Sequence, residues 1–552
     1  MKKHITRLLF AALLLLALCI GASAAGTSGK CGPSAYWSFD SSTGTLTISG
    51  SGAMNDCVFQ WGDPDPRPWS AYLSEIKTVV IGDSITKIGK ESFSSLSCTT
   101  VRIGKNVQVI GENAFMNCTS LTGDLVIPDS VTTIDRWAFF GSVISNGTLT
   151  LGKGLRTIGK RAFTGCSFSG GLTIPEGVTE IAEGAFCSSS KYSSSPALGK
   201  ITGTLTLPST LKTIGAEAFA YTDFSGELLI PDGVTSIGAN AFKECDGFGG
   251  LLSLPDSVKT VGESAFYLCK GFTGLKLSAS LTKIEERSFA HMYGLKTEVV
   301  IPEGVTEIGE GAFSCSHMPS VRFPSTLKKI GKQAFYLTFG LTNYSTITFP
   351  NGLEVIEDEA FDSCYFKNAV VLPASIKSIG KKVFDGYQYS GKRNDIPIGV
   401  YFLGDAPQLV GTVNANCSFP SDWTLFYLPG TSGWTGDTYE GYKIVPWDGE
   451  TRWDNLYTRE FGYRDNNRNE IEASWSVNMD TGKITLTDDL NEGCVVAVSY
   501  DAEGRVTSIG VLRTKTDFVV LNLQDTCRLF LLNASSAPRL NTPVTINDYL
   551  PV

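Results

Sequence analysis

Gly171–Cys187 reads GLTIPEGVTEIAEGAFC. The stretch runs apolar-Thr-Ile-Pro, two turn residues, Val-x-x-Ile, a few small or polar residues, then Ala-Phe and a small residue. The same phrase returns as LVIPDSVTTIDRWAF ending at Phe139, LLIPDGVTSIGANAF at Phe242 and VVIPEGVTEIGEGAF at Phe313. The closing phenylalanines are Phe93, Phe115, Phe139, Phe163, Phe186, Phe219, Phe242, Phe266, Phe289, Phe313, Phe335, Phe361 and Phe384, thirteen in all. They stand 22–24 residues apart except for one gap of 33 and one of 26. A period this steady means a solenoid.

Within one copy, apolar pairs such as Leu172/Ile174, Leu228/Ile230 and Val299/Ile301 flank an outward residue, so a short strand buries one face. Proline follows directly in most copies, as at Pro128, Pro175, Pro231 and Pro302; lacking an N–H it ends the strand and opens a corner. Val178 and Ile181 stand three apart, which one straight strand cannot place on one face. A second short extended piece is therefore expected after the turn. The Glu-Gly-Ala-Phe piece predicts one helical turn that drives Phe186 inward. Phe168, Phe224, Phe248 and Phe272 then precede small, Gly-rich bends back to the next strand. One copy brings about four large apolar side chains, each worth roughly 1.5–3 kcal/mol when buried. Ordering its backbone costs about 1–2 kcal/mol per residue, so an isolated copy should not fold and neighbours must stack.

Residues 1–24 carry Lys2, Lys3 and Arg7, an apolar run from Leu8 to Ile20, and Ala22-Ser23-Ala24 before Ala25, the order of a cleaved secretory signal. Cys19 as a lipoprotein site is disfavoured by Leu18 beside it. LPGTS at Leu428–Ser432 does not match the sortase order LPxTG. Residues 25–78 hold an alternating hairpin pattern, WSFDSSTGTLTISGSGAM, and predict an N-terminal β cap in which Trp37, Trp61 and Trp69 are core. The 33-residue gap contains SSSKYSSSPALGK, read as an exposed loop. At 399–447 the phenylalanine phrase stops and two strands with an aromatic close predict a degenerate last coil and cap. Residues 448–473 read as a polar linker. Residues 474–552 read as period-2 or apolar strands split by Gly and Asp turns, a small β-sandwich-like domain.

The chain carries a net charge of −9, and loss of Lys2, Lys3 and Arg7 takes it to −12. That balance argues against a general electrostatic grip on nucleic acid or anionic lipid. Fourteen cysteines less Cys19 leave an odd number, so complete internal pairing is impossible. Cys118, Cys166, Cys245, Cys269 and Cys364 each lie three residues after a repeat phenylalanine, where other copies hold Ser142, Thr222 or Thr338. A small group packed at a coil corner accounts for them. Cys31 and Cys57 bracket the first β-rich segment and form the candidate disulfide.

Catalysis has little to stand on. Of three histidines, His4 leaves with the signal, and His291 and His317 lie in loops after repeat phenylalanines. The recurring acids Glu176, Asp232 and Glu303 sit in Pro-Asp/Glu-Gly turns and read as solvated corner residues rather than a glycosidase pair. No metal-ligand spacing or phosphate-binding glycine loop appears, and no cofactor is expected.

The phrase LxIPxxVxxIGxxAFxxC closely resembles the BspA-type leucine-rich repeat of bacterial surface proteins, over about Lys77–Phe384, with departures at Asp135 and Ala182 where other copies carry Gly. The segments flanking the array are also similar to those of exported proteins from Gram-positive gut anaerobes. The resemblance implies a curved, β-rich solenoid at the cell surface, with adhesion to host or bacterial proteins in some members. It transfers no ligand. The expected fold is thus a β-rich right-handed solenoid of about thirteen leucine-rich repeats over 79–398, with short parallel strands plus a helical turn per repeat. The expected function is an exported, non-catalytic scaffold that binds an extracellular protein or cell-surface ligand and no nucleic acid. A structural spacer presenting the C-terminal domain is the alternative, and an extracellular glycan- or peptide-acting enzyme the less favoured one. The candidate binding face is the outward strand position: Arg102, Val126, Thr150, Thr173, Thr206, Leu229, Ser253, Lys276, Val300, Arg322, Thr348 and Val371. It is nearly uncharged, with three scattered cations. Thr and Val are also simply good strand formers.

Overall fold

A computed structural model describes residues 27–60, 62–188, 200–338, 349–364, 370–385, 399–410, 418–420 and 423–446, and beyond these the strands between 459 and 545. The expected signal at 1–24, Trp61, most of the serine-rich insertion and Thr348 lie outside the described residues. The chain forms two compact units, residues 1–297 with 312–317, and 298–311 with 318–552.

The first unit opens on an antiparallel meander, Ser28–Lys30, Ala35–Asp40 and Thr45–Gly50. Thr45–Gly50 then pairs parallel with Thr78–Ile81, which pairs parallel with Thr100–Arg102. The antiparallel hairpin thus feeds the parallel ladder, and Trp37 and Trp69 fill its core at 4 % and 0 % exposure. From there the ladders are parallel and made of strands two to six residues long. One row holds the apolar-Thr strands, as Leu172–Thr173 with Leu205–Thr206. A second row holds the piece after the proline turn, as Glu180–Ile181, Thr213–Ile214, Ser236–Ile237 and Thr260–Val261. Val178 follows the Glu176–Gly177 turn and Ile181 lies on the short strand that the restarted chain forms after it; both are fully buried.

The predicted helical turn is replaced by something else. Among the described residues, helix is confined to one 3-10 turn, Ser70–Tyr72. Two residues before each of the thirteen phenylalanines, at Glu91, Asn113, Trp137, Arg161, Gly184 and their equivalents, φ lies between +50° and +62°. A left-handed residue cannot continue a right-handed helix. The consequence is visible in the hydrogen bonds. Ala185 and Cys187 donate within their own turn, to Ala182 and Gly184 oxygens at 3.1 Å. Gly184, Phe186 and Ser188 donate instead to Ala216, Ala218 and Ala220 oxygens of the next copy, at 2.8–2.9 Å. Alternate N–H groups therefore close turns and join coils.

This turn ladder lines up the phenylalanines. From Trp69 through Phe93, Phe115, Phe139, Phe163, Phe186, Phe219, Phe242, Phe266 and Phe289 to Phe313, consecutive rings stack with centroids 5.1–5.7 Å apart. In the second unit Phe335, Phe361, Phe384 and Phe419 stack at 5.1–5.8 Å. Phe419, outside the repeat phrase, takes the ring position of a further copy, backed by Tyr442 at 5.7 Å.

The corner cysteines behave as packing groups with one polar duty. Cys118, Cys166, Cys245, Cys269 and Cys364 thiols donate to the carbonyls of Phe93, Phe139, Phe219, Phe242 and Phe335 in the preceding copy, at 3.0–3.2 Å. Ser142 and Ser316 hydroxyls do the same to Phe115 and Phe289. The candidate disulfide is not formed in this structure: Cys31 and Cys57 are buried free thiols. Burial, with the neighbouring Cys57 second, pushes Cys31 up to about 12, and burial pushes Cys245 and Cys364 to about 12 as well. Because the folded value is raised, the stability gained by keeping these thiols neutral is fully present below about pH 9 and is lost as pH rises towards about 12. At pH 8 the folded chain should therefore leave Cys245 and Cys364 unmodified by iodoacetamide until denaturant is added, while half-buried Cys315 reacts first. Labelling of all three at the denatured rate would refute this packing.

The second unit carries Glu307–Ile308, Lys329–Ile330, Val355–Ile356, Ser378–Ile379 and Gln408–Leu409 as one parallel ladder. A second, Val370–Leu372, Gly399–Phe402, Thr424–Tyr427 and Tyr442–Pro446, ends it. Beyond lie two four-stranded antiparallel sheets. The first two strands of one of them, Arg459–Arg464 and Glu470–Asn478, pair antiparallel and begin inside the stretch read as a polar linker. The alternation of Phe461 and Tyr463 with Glu460, Gly462 and Arg464 is the strand signal there.

Candidate binding face

The outward column of the first-row strands is set by pleat and register. Leu125 pairs with Leu149 and Val126 with Thr150; Leu172 pairs with Leu205 and Thr173 with Thr206. Since neighbouring side chains alternate across a strand, the buried leucines leave Val126, Thr150, Thr173 and Thr206 facing out, and all four are exposed. Leu229, Ser253 and Lys276 continue in register with one another. Leu229 is 72 % and Val126 54 % exposed, large values for aliphatic side chains. Arg102 is exposed and in register with Val80. In the second unit Val300 pairs with Arg322, both exposed, while Val371 is only half-exposed. The structure thus places ten of the twelve predicted positions exposed or half-exposed on first-row strands in four ladders of unit one and one of unit two; Val371 belongs to a separate ladder and Thr348 is not described.

A second column, two residues before each of these positions, borders this one. It holds Asp124, Thr148, Thr204, Glu227, Leu251 and Glu298. The Thr148 hydroxyl and N–H both donate to Asp124 and hold its carboxyl below the usual range. Glu298 lies 2.7 Å from the Arg322 guanidinium, so part of that cation is answered locally. Leu251, 54 % exposed, extends the apolar ground beside Leu229. Sequence reasoning missed it because LLSLP offers two alternations, and a register shift between Gly250 and Leu251 decides which leucine turns out. Gly274 leaves room for it: a side-chain carbon there would sit 3.0 Å from the Leu251 terminal methyl.

Two of the acids read as solvated corners, Glu176 and Glu303, have a further task. Glu176 accepts both the N–H and the hydroxyl of Ser209 in the next copy at 3.0 Å, and the Ser209 N–H holds its carboxyl below the usual range. Glu303 makes the same pair of bonds to Ser325 at 3.1 and 2.9 Å. Asp129 and Asp256 accept the N–H of Lys153 and Ala279. These carboxylates staple coil to coil.

Other chemistry-bearing groups stand apart from the face. His291 Nδ1 lies 2.6 Å from the Tyr293 hydroxyl and its ring packs edge-on against Tyr267. Burial first, then the Lys270 charge, lowers its pKa. Among the described residues no group of three His, Cys, Asp or Glu side chains could hold a metal ion, and no helix is long and apolar enough to cross a membrane. A hollow lined by Thr99–Val101, Leu121–Leu125 and Ile144 offers about 20 Å³, room for one water.

The BspA type leucine rich repeat model matches the chain in six copies, over residues 86–223, 123–249, 197–296, 250–345 and 338–404. None of the curated proteins compared with the chain matches it. Among solved structures, a leucine-rich repeat protein from Bacteroides ovatus is 20 % identical, with 67 % of this chain and 93 % of that one covered and a TM-score of 0.41. A leucine rich cell surface protein from Faecalibacterium prausnitzii is 21 % identical over 65 % and 94 % of the two chains, TM-score 0.30. The pneumococcal vaccine antigen PcpA is 14 % identical over 76 % and 100 %, TM-score 0.33. With a match that spans more than half of its 552 residues, the chain belongs to the BspA type leucine rich repeat family.

Proposed function

We propose that the chain is an exported, non-catalytic scaffold whose copies, about thirteen of them, wind as a right-handed solenoid and whose outward strand column grips an extracellular protein or cell surface. The reading rests on one observation. Large aliphatic side chains, Val126 and Leu229 with Leu251 beside it, stand exposed on a pleated ground held by backbone hydrogen bonds. Apolar side chains kept in water on a rigid sheet favour docking, because little ordering cost remains to be met on binding. The nearly uncharged column, with Arg102 and Lys276 at separated points, suits a protein surface better than a polyanion. Export is supported by the Lys2–Ala24 sequence pattern alone.

The test is binding of the purified chain to immobilised matrix proteins, bacterial cells and glycans. Leu229→Asp should weaken binding to whichever surface captures the chain by about tenfold, since it places a charge in the contact. Its position 72 % in water predicts a stability change within about 0.5 kcal/mol. Undiminished binding by this variant would remove the face from consideration. Hydrolysis of a common glycan or peptide would overturn the non-catalytic reading.

A further inference from the structure

The outward strand face changes character in the last coils. Val400, Phe402 and Leu425 point inward at 0 % exposure, so by alternation Tyr401 and Phe426 point outward. They are nevertheless only 6 % and 7 % exposed, where the outward Val126 and Leu229 are 54 % and 72 %. The register aligns Val371 with Tyr401, Tyr401 with Phe426 and Phe426 with Val445 across four adjacent strands. Tyr401 and Phe426 stack at 4.6 Å, and Val371, Leu403, Leu428 and Val445 surround them. Stacking covers one face of each ring and the four aliphatic neighbours cover the rims. Neither shields the outward side of a sheet.

We propose that this apolar face is the seat of the C-terminal sheet containing Cys494–Tyr500 and Thr526–Leu532, so that the C-terminal domain is docked on the last coils. Three observations choose this occupant. First, Tyr442–Pro446, which carries Val445, is the last strand of the coils, and the next strand begins at Arg459. The twelve residues between them reach up to about 40 Å, while the patch spans only four strands at ~4.8 Å spacing. Second, CVVAVSY and TCRLFLL are hydrogen-bonded neighbours, with Val496 opposite Phe530 and Ala497 opposite Leu529, and both read apolar at successive positions. Such runs belong to strands covered on both faces. The companion sheet of the same domain can cover one face; the other needs a second apolar surface. Third, the seat and the C-terminal sheets fall in the same compact unit, residues 298–311 with 318–552.

Docking there sets two limits. The face open to a ligand stops short of Val371, which becomes part of the seat. The C-terminal domain is held at a fixed place instead of hanging on a tether.

The experiment places photoreactive benzoylphenylalanine at Leu403, a partly buried member of the patch, in the full-length chain, with the same group at Val126 as a control. After irradiation and digestion, cross-linked peptides from residues 494–532 are expected for the Leu403 position and none for Val126. Capture of residues 386–398 or 411–417, capture of a second copy of the chain, or no cross-link above the control would each overturn the proposal. A second full-length variant, Tyr401→Ser, should be cut between residues 447 and 458 by limited proteolysis at least tenfold faster than the unaltered chain. An unchanged rate would count equally against docking.

Discussion

Phe163→Ala should destabilise its coils by about 3–5 kcal/mol, the cost of truncating a fully buried phenylalanine. Its ring is 0 % exposed and lies parallel to Phe139 at 5.1 Å and to Phe186 at 5.2 Å, each at an interplanar angle of 3°. Removing it deletes two aromatic contacts, each worth roughly 0.5–1.5 kcal/mol beyond area. The resulting cavity is walled by two rings that the turn ladder prevents from closing in. The backbone of the same residue donates to the Ala185 oxygen at 2.8 Å, so collapse would break a coil-to-coil bond as well. Thr173→Ala, outward on the strand that follows, should stay within about 0.5 kcal/mol. Repeat arrays are coupled mainly to nearest neighbours, so a single global midpoint can blur the effect. Amide exchange in the coils holding Phe139, Phe163 and Phe186 is the better measurement, with protection there falling together. A loss below about 1 kcal/mol would mean that the ring stack is not what holds adjacent coils in register.

The contrast between Phe163 and Thr173 also marks what the sequence could and could not tell. Apolar pairs such as Leu172/Ile174, the prolines after them and the closing phenylalanines are periodic because every coil needs the same inward packing. The rows of parallel strands were therefore readable. Contacts between copies were harder, because they depend on side chains brought together only by stacking. Glu176 reads as a solvated turn residue until Ser209 is set 33 positions away on the next coil. Leu251 and Leu252 cannot be told apart until the register shift turns one outward and buries the other at 0 %. Val371 matches Val126 in the repeat phrase, yet its ladder neighbours Tyr401 and Phe426 stand outside the repeats and are buried. The candidate face was legible as a column of positions, and its width and its end were not.

The helical reading of the Ala-Phe turn failed for a reason that can be put to a direct test. Glu-Gly-Ala-Phe resembles one helical turn, yet its glycine is among the poorest helix formers, and its residue types do not say which way each N–H points. One signal was present. The thirteen residues that stand two before a phenylalanine include Glu, Asn, Trp, Arg, Ser, Gln, Lys and Gly but never Val, Ile or Thr. β-branched side chains tolerate positive φ worst, so their absence is what a left-handed position demands. Asn240, with φ +56°, is a good place to ask. Its N–H donates to the Glu263 oxygen of the next copy at 2.8 Å, and its carbonyl accepts from Lys243 at 3.1 Å. Asn240→Val should cost about 1–3 kcal/mol, since the branched side chain must either hold a disfavoured φ or break the bond to Glu263. Asn240→Gly should stay within about 1 kcal/mol, because relief at positive φ offsets the added freedom of the unfolded chain. In a helical turn the order would reverse, with Gly about 0.3–0.5 kcal/mol worse than Val on intrinsic propensity. Denaturation midpoints of the two variants, measured side by side, decide between these geometries. Finding the glycine variant the less stable of the pair would dismantle the turn ladder and with it the account of how the phenylalanines are aligned.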